Sequence, residues 1–188
     1  TPSPSGDTEW VISYIEQELE SIGIPFHRTI KGAIVATLDG LEASRPKALT
    51  AHVDTLGAIV AEIKADGRLR MTAVGGLDWN SVESEGVWVQ TRTGRQIRGS
   101  IVLQNGAAHV NKEARTTQRS ADSLEIRLDE RTRSADQTRL LGIEVGDYVY
   151  IDPRLEVSES GFVRSRFLDD KACAAAMLAA LNALRTAG

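Results

Sequence analysis

The sequence predicts an α/β fold, a mixed or parallel sheet with flanking helices, interrupted by a small inserted β-barrel. Three observations carry this prediction. An amphipathic helix and two strand-like runs open the chain. Past residue 66, long apolar runs give way to short strands punctuated by glycine turns. Past residue 157, the pattern reverts to one long helix rich in Ala and Leu. The α/β part is therefore expected at 1–66 and 158–188, with the inserted barrel at 67–157.

Each element follows from its local pattern. Over residues 7–22, Trp10, Val11, Tyr14, Ile15, Leu19 and Ile22 share one helical stripe, with Glu9, Glu16, Gln17 and Glu20 opposite. Asp7 or Ser5 is placed to cap this helix, and Gly23 to end it. Ala33–Leu38 and Lys47–Val53 read as strands. The second is apolar on both faces until His52, the pattern of a central strand covered by helices. Gly57–Ile63 continues in extended character. In the insertion, strands are expected at Leu69–Val74, Val87–Thr91, Ile97–Leu103, Leu124–Leu128 and Asp147–Ile151. Asp66-Gly67, Gly75-Gly76, Thr93-Gly94 and Gly146-Asp147 supply the turns. Ser134–Leu141 reads as a short helix with Ser134 and Gln137 in capping-box spacing, and 105–123 as a long polar loop. Asp169–Leu184 is apolar almost all round, which predicts a helix buried against a sheet, with Cys173 as a packing residue.

Composition narrows the function classes. Hydrophobic residues at 41% and charged residues at 26% suit a packed globular chain rather than a disordered one. A net charge of -4 with scattered basic residues gives no attraction to nucleic acid or anionic lipid. No apolar run reaches the length of a membrane span. One cysteine forms no intrachain disulfide, so the default compartment is the cytoplasm. The chain opens at Thr1 rather than Met and reads as trimmed there.

Two motifs carry chemistry. His52 closes an apolar strand, at the edge where α/β sheets place functional groups. Asp54 lies two residues on, on the same side of an extended chain, and can orient the imidazole while its other nitrogen binds a metal. The same pair also suits an ordinary strand-end hydrogen bond. Asp169-Asp170-Lys171 opens the last helix. Its first carboxylate can bridge two metals, and can equally cap the helix. His109, in the polar loop, and His27, after the first helix, read as structural or surface residues. Ser5-Gly6 shows no partner base. No phosphate-binding glycine loop, paired CxxC or nucleophile elbow is present.

In order, these motifs resemble the TET/glutamyl-aminopeptidase family of dinuclear metallopeptidases. The similar stretches are Pro2-Ser-Pro-Ser-Gly6, Ala51-His-Val-Asp-Thr-Leu-Gly57, Gly75-Gly-Leu-Asp-Trp79, Gly99-Ser-Ile101, Gly146-Asp147, Asp152, Gly161-Phe-Val163 and Leu168-Asp-Asp-Lys171. The wording of Ala51–Val60 and Ser165–Ala172 is most similar to a subgroup associated with synthesis of the osmoprotectant N-acetylglutaminylglutamine amide. Other two-metal peptidases and deacylases share H-x-D and a later Asp. The Gly75–Trp79 stretch, and an insertion placed before the second motif, argue against them.

The resemblance implies a metal-dependent aminopeptidase that cleaves N-terminal bonds of small peptides through a metal-activated water. It implies two divalent ions, zinc or cobalt, with His52 and Asp169 as metal ligands and Asp54 as the catalytic-site residue that orients His52. It also implies a cis peptide just after Asp169, and a PDZ-like insertion that builds homo-oligomers. Lys171 stands where Arg is usual, and Cys173 where Gly is usual. The family's paired Glu, further Asp and late His lie past residue 188. The chain alone is therefore expected to be an inactive N-terminal portion with low metal occupancy. The alternative is a truncated, non-catalytic assembly or binding module.

Overall fold

The first apolar stripe forms helix α1 (Glu9–Ser21), which buries Val11 and Leu19 and leaves Trp10 and Tyr14 about half exposed. Thr8 is its N-cap position and makes no side-chain cap bond. At the other end Gly23, at φ 62°, lets the chain leave the helix. Arg28 ties α1 to the next element, reaching Glu16 at 2.7 Å and Glu9 at 2.8 Å. The computed structural model describes residues 1–40, 42 and 44–187. Contacts divide the chain into two units, Thr1–Thr55 with Leu155–Gly188, and Leu56–Arg154.

In the first unit, β1 (Phe26–Arg28) and β2 (Ile34–Ala36) pair as an antiparallel hairpin. Residues 47–53, expected as a central strand, carry no strand assignment. A strand exists through hydrogen-bonded neighbours. Just past this segment, Thr55 makes one isolated parallel bridge with Pro4. No larger mixed or parallel sheet forms among the described residues of this unit.

The second unit is a closed barrel. Its strands are β3 (Gly57–Ile63), β4 (Leu69–Val74), β5 (Gly86–Gln90), β6 (Gln96–Leu103), β7 (Leu124–Leu128) and β8 (Tyr148–Ile151), ordered β3-β4-β7-β6-β5-β8 and antiparallel throughout. Strand alternation fills the interior with Val60, Leu69, Met71, Val87, Val89, Ile101, Ile126 and Val149, all fully buried. Burying each such side chain stabilises by about 1.5–3 kcal/mol. Closure removes the exposed edges that short strands would otherwise present. The barrel begins earlier than the sequence indicated, at Gly57, because β3 pairs with both β4 and β8 and is needed to close it. Helix α2 (Ala135–Leu140) is capped as expected, with Ser134 Oγ accepting from the Gln137 amide and Gln137 Oε1 accepting from that of Arg133.

At Gly99 the neighbouring strand β7 comes close to β6. A Cβ there would lie 2.8 Å from the Arg127 carbonyl oxygen and 3.0 Å from Ile126 Cγ2. Because the closest atom is backbone, Gly99→Ala is expected to destabilise the barrel by ~1–3 kcal/mol, read as a lower thermal midpoint.

Asp152 links the barrel's rim to acid stability. Burial raises its pKa, but the Arg154 amide and the Arg98 guanidinium, both at 3.0 Å, outweigh this and hold it below the usual value of 3.8. A lowered folded pKa gives stability that is present above the unfolded value and lost as pH falls through the folded one. The stability gap between wild type and Asp152→Asn is therefore expected to be constant near neutrality. It narrows as pH drops below 3.8 in denaturant titrations.

The first unit resumes with β9 (Glu156–Val157) and β10 (Val163–Arg164), an antiparallel pair, and ends in helix α3 (Leu168–Ala187). None of the residues of α3 is buried, against the expectation of a buried helix, and Cys173 is exposed. An all-round apolar helix is buried by a sheet laid on it, and the described residues of this unit form only two-stranded pairs. Among the described residues, no helix is long and apolar enough to cross a membrane.

Candidate metal-binding site

The first unit brings together the three residues singled out by sequence. His52 Nδ1 lies 3.0 Å from Asp54 Oδ1, and its Nε2 lies 3.1 Å from Asp169 Oδ1, 117 residues away in sequence. Asp54 follows His52 by two positions on an extended segment, so both side chains leave the same side. Asp169 is presented by an irregular approach to α3. Phe167 sits in the left-handed region at φ 63°, and Asp169 and Asp170 have non-helical angles. The Asp169–Asp170 peptide is cis, as the family resemblance implied. Asp169 faces the imidazole across the site.

The two carboxylates give this imidazole opposite-facing partners. Hydrogen bonding to Asp169, then to Asp54, raises the His52 pKa above its usual 6.5. The Asp54 pKa is held below its usual value, chiefly by a hydrogen bond from Ser5 and secondarily by His52, against the opposing effect of burial. Asp54 accepts the Nδ1 proton when His52 is the Nδ1–H tautomer, which leaves the Nε2 lone pair aimed toward Asp169. One imidazole nitrogen and one carboxylate are donors of the kind that zinc and cobalt take. They fit as two members of a larger set. Among the described residues, no group of three or more His, Cys, Asp and Glu is placed to hold a metal.

Other sequence candidates stay apart from this cluster. His27 is exposed on β1, and His109 is exposed in the other unit. Hydrogen bonding to Asp170 pushes the Cys173 thiol pKa up, away from reactivity. Lys171 donates to the Thr1 carbonyl at 2.6 Å, and burial lowers its pKa.

Sequence reasoning missed Ser5, whose hydroxyl donates to Asp54 Oδ2 at 2.5 Å. The signal was weak, because 49 residues separate the pair. Its one trace was the recurrence of small and rigid residues in Pro2-Ser-Pro-Ser-Gly6, a composition suited to a segment with a fixed path.

The chain is similar to known proteins over most of its length. The profile of a family described as M42 glutamyl aminopeptidase matches residues 32–188. YhfE of Bacillus subtilis (strain 168), named as a candidate aminopeptidase, is 46% identical over 185 residues, covering 98% of this chain and 54% of YhfE. The chain thus spans about half the length of that relative. The aminopeptidase APDkam598 of Desulfurococcus kamchatkensis has the same fold over 96% of this chain and 48% of its own, with a TM-score of 0.80 at 24% identity. The TET1 peptidase of Pyrococcus horikoshii, described as assembling into a tetrahedron or a large octahedral shell, matches 97% of this chain and 52% of its own. Its TM-score is 0.78 at 22% identity.

Proposed function

Because this chain belongs to the M42 glutamyl aminopeptidase family, we propose that it forms part of a metal-dependent aminopeptidase acting on the N-terminal bond of small peptides. The observation that carries this reading is the imidazole of His52 held between Asp54 and Asp169. In it, His52 Nε2 and the Asp169 carboxylate bind metal, and Asp54 fixes the tautomer and direction of the His52 ring. When bound, two divalent ions, zinc or cobalt, lower the pKa of a water and polarise the scissile carbonyl. The further donors and the general base would come from the part of such enzymes that this chain does not span.

The barrel is read as the PDZ-like unit through which copies associate. Its own closed core supports independent folding of Leu56–Arg154, and the shells described for the Pyrococcus horikoshii peptidase support assembly.

The test is peptide cleavage by the full-length protein supplied with zinc or cobalt. The reading predicts stepwise release of free amino acids from the N-terminus, abolished by chelation and by N-acetylation of the peptide. Equal cleavage of the acetylated peptide would contradict an aminopeptidase. Complete inactivity of the metal-loaded protein on a panel of free-amine peptides, with assembly intact, would favour the non-catalytic assembly module.

A further inference from the structure

We infer that Ser5 is a positioning residue for the metal site, holding the Asp54 carboxylate so that it orients His52. This rests on the reading of His52 as a metal ligand. Asp54 has two carboxylate oxygens, and the structure occupies each with a different partner: Oδ1 with His52 Nδ1 at 3.0 Å and Oδ2 with Ser5 Oγ at 2.5 Å. A carboxylate held at one oxygen can still rotate about its terminal torsion, which is broad for Asp. Engaging both oxygens fixes the plane of the group, and with it the direction of the bond to the imidazole.

Ser5 can do this because its own backbone is fixed. Pro4 bridges Thr55 in parallel register, the Ser5 amide donates to the Thr55 carbonyl at 3.2 Å, and the Thr55 amide donates to the Ser3 carbonyl at 2.8 Å. The fully buried Ser3 adds a bond from its hydroxyl to the Val53 carbonyl at 2.7 Å. Directly after Ser5 the chain turns. The Asp7 amide donates to the Pro4 carbonyl at 2.8 Å, and Gly6 at φ 93° takes the position that a type II turn reserves for glycine. Pro2 and Pro4 restrict the unfolded segment, so little freedom is lost in fixing it. The N-terminal stretch is thus a strap laced along residues 53–55, with one hydroxyl aimed at the carboxylate behind the imidazole.

The experiment compares the full-length wild type with Ser5→Ala, Ser5→Thr, Asp54→Ala and the Ser5→Ala/Asp54→Ala double variant. It reads the zinc dissociation constant by chelator competition, and the His52 tautomer in metal-free protein by nitrogen-15 NMR. Ser5→Ala is expected to weaken zinc about tenfold, the lower end for groups behind a ligand, and to reduce the Nδ1–H tautomer signature of His52. Ser5→Thr, which keeps the hydroxyl, is expected to restore both. In the Asp54→Ala background, Ser5→Ala should add nothing, because its effect runs through that carboxylate. If Asp54→Ala weakens zinc while Ser5→Ala leaves affinity and tautomer unchanged, the role of Ser5 is overturned and the metal site stands. The role is likewise overturned if the two effects are additive. If Asp54→Ala also leaves zinc affinity unchanged, the positioning roles of both Asp54 and Ser5 are overturned, whereas a His52→Ala control that leaves zinc affinity unchanged would sink the metal-ligand reading itself. A purely structural Ser5 would lower the thermal midpoint while leaving the tautomer in place.

Discussion

Replacing His52 with Ala in the full-length protein is expected to lower aminopeptidase kcat/KM by about 10³-fold or more, a rise in barrier of ~4 kcal/mol. The imidazole supplies the one nitrogen donor in the cluster, with Nε2 3.1 Å from Asp169 Oδ1. Without it the metal loses a ligand, and Asp169 and Asp54 lose the cation-accepting group between them. Asp169→Asn is expected to act in the same range, because a neutral amide is a poor bridge between two cations. Asp54→Asn keeps both ligands and only changes what faces Nδ1, so its loss is expected to be smaller, about 10–100-fold. This ordering separates ligation from orientation. If all three variants fell by the same modest factor, the triad would be an ordinary hydrogen-bonded cluster. All three side chains are solvent-accessible in this chain, so the losses should come with little change in thermal midpoint.

The barrel offers a stability effect of comparable weight. Glu125 on β7 is 2% exposed and receives Lys64 at 2.6 Å and Arg68 in a charge-assisted bond. Lys64 and Arg68 flank the β3–β4 turn, where the Arg68 amide donates to Asp66 Oδ1 at 3.1 Å. One carboxylate thus pins the β3–β4 turn to β7, the strand beside β4 in the barrel. Removing one member of a buried ion pair typically costs 3–5 kcal/mol, because the partners are left desolvated and unpaired. Lys64 and Arg68 both reach solvent, which lowers the penalty. Glu125→Ala is expected to cost ~3 kcal/mol, a fall in thermal midpoint of roughly 6–12 °C for a chain of this size. Glu125→Gln keeps one acceptor oxygen and should cost less. A fall below 2 °C for Glu125→Ala would show the cluster to be a solvated surface network.

The parts of this fold that were legible in the sequence are those whose signals are local. Leu69–Val74 and Leu124–Leu128 matched their strands end to end, and the other insertion strands matched to within a residue at either end. Glycine turns such as Asp66-Gly67 and Thr93-Gly94 mark both ends of such runs. His52, Asp54 and Asp169 were legible as a set only through the family resemblance, because each motif alone also suits a strand-end hydrogen bond or a helix cap. What failed depended on partners. Residues 47–53 have the composition of a central strand but lack flanking strands among the described residues, and α3 has the composition of a buried helix while none of its residues is buried. Gly57–Ile63 was read as extended, as β3 is, but was placed outside the barrel because such a run suits a sheet or a barrel equally; its pairing with β8, some 90 residues on, decides the matter. Ser5 escaped notice for the same reason, since its partner is distant in sequence.

In the proposed site, His52 and Asp169 are ligands of one metal centre, with Asp54 and Ser5 behind the imidazole. Anomalous diffraction from crystals of the full-length protein, collected on both sides of the zinc edge after loading with zinc, tests it most directly. A peak is expected within bonding distance of both His52 Nε2 and the Asp169 carboxylate, while His52 Nδ1 stays on Asp54 and Asp54 stays on Ser5. Zinc-loaded crystals whose peaks lie elsewhere, with His52 Nε2 and Asp169 bound to no metal, would contradict it.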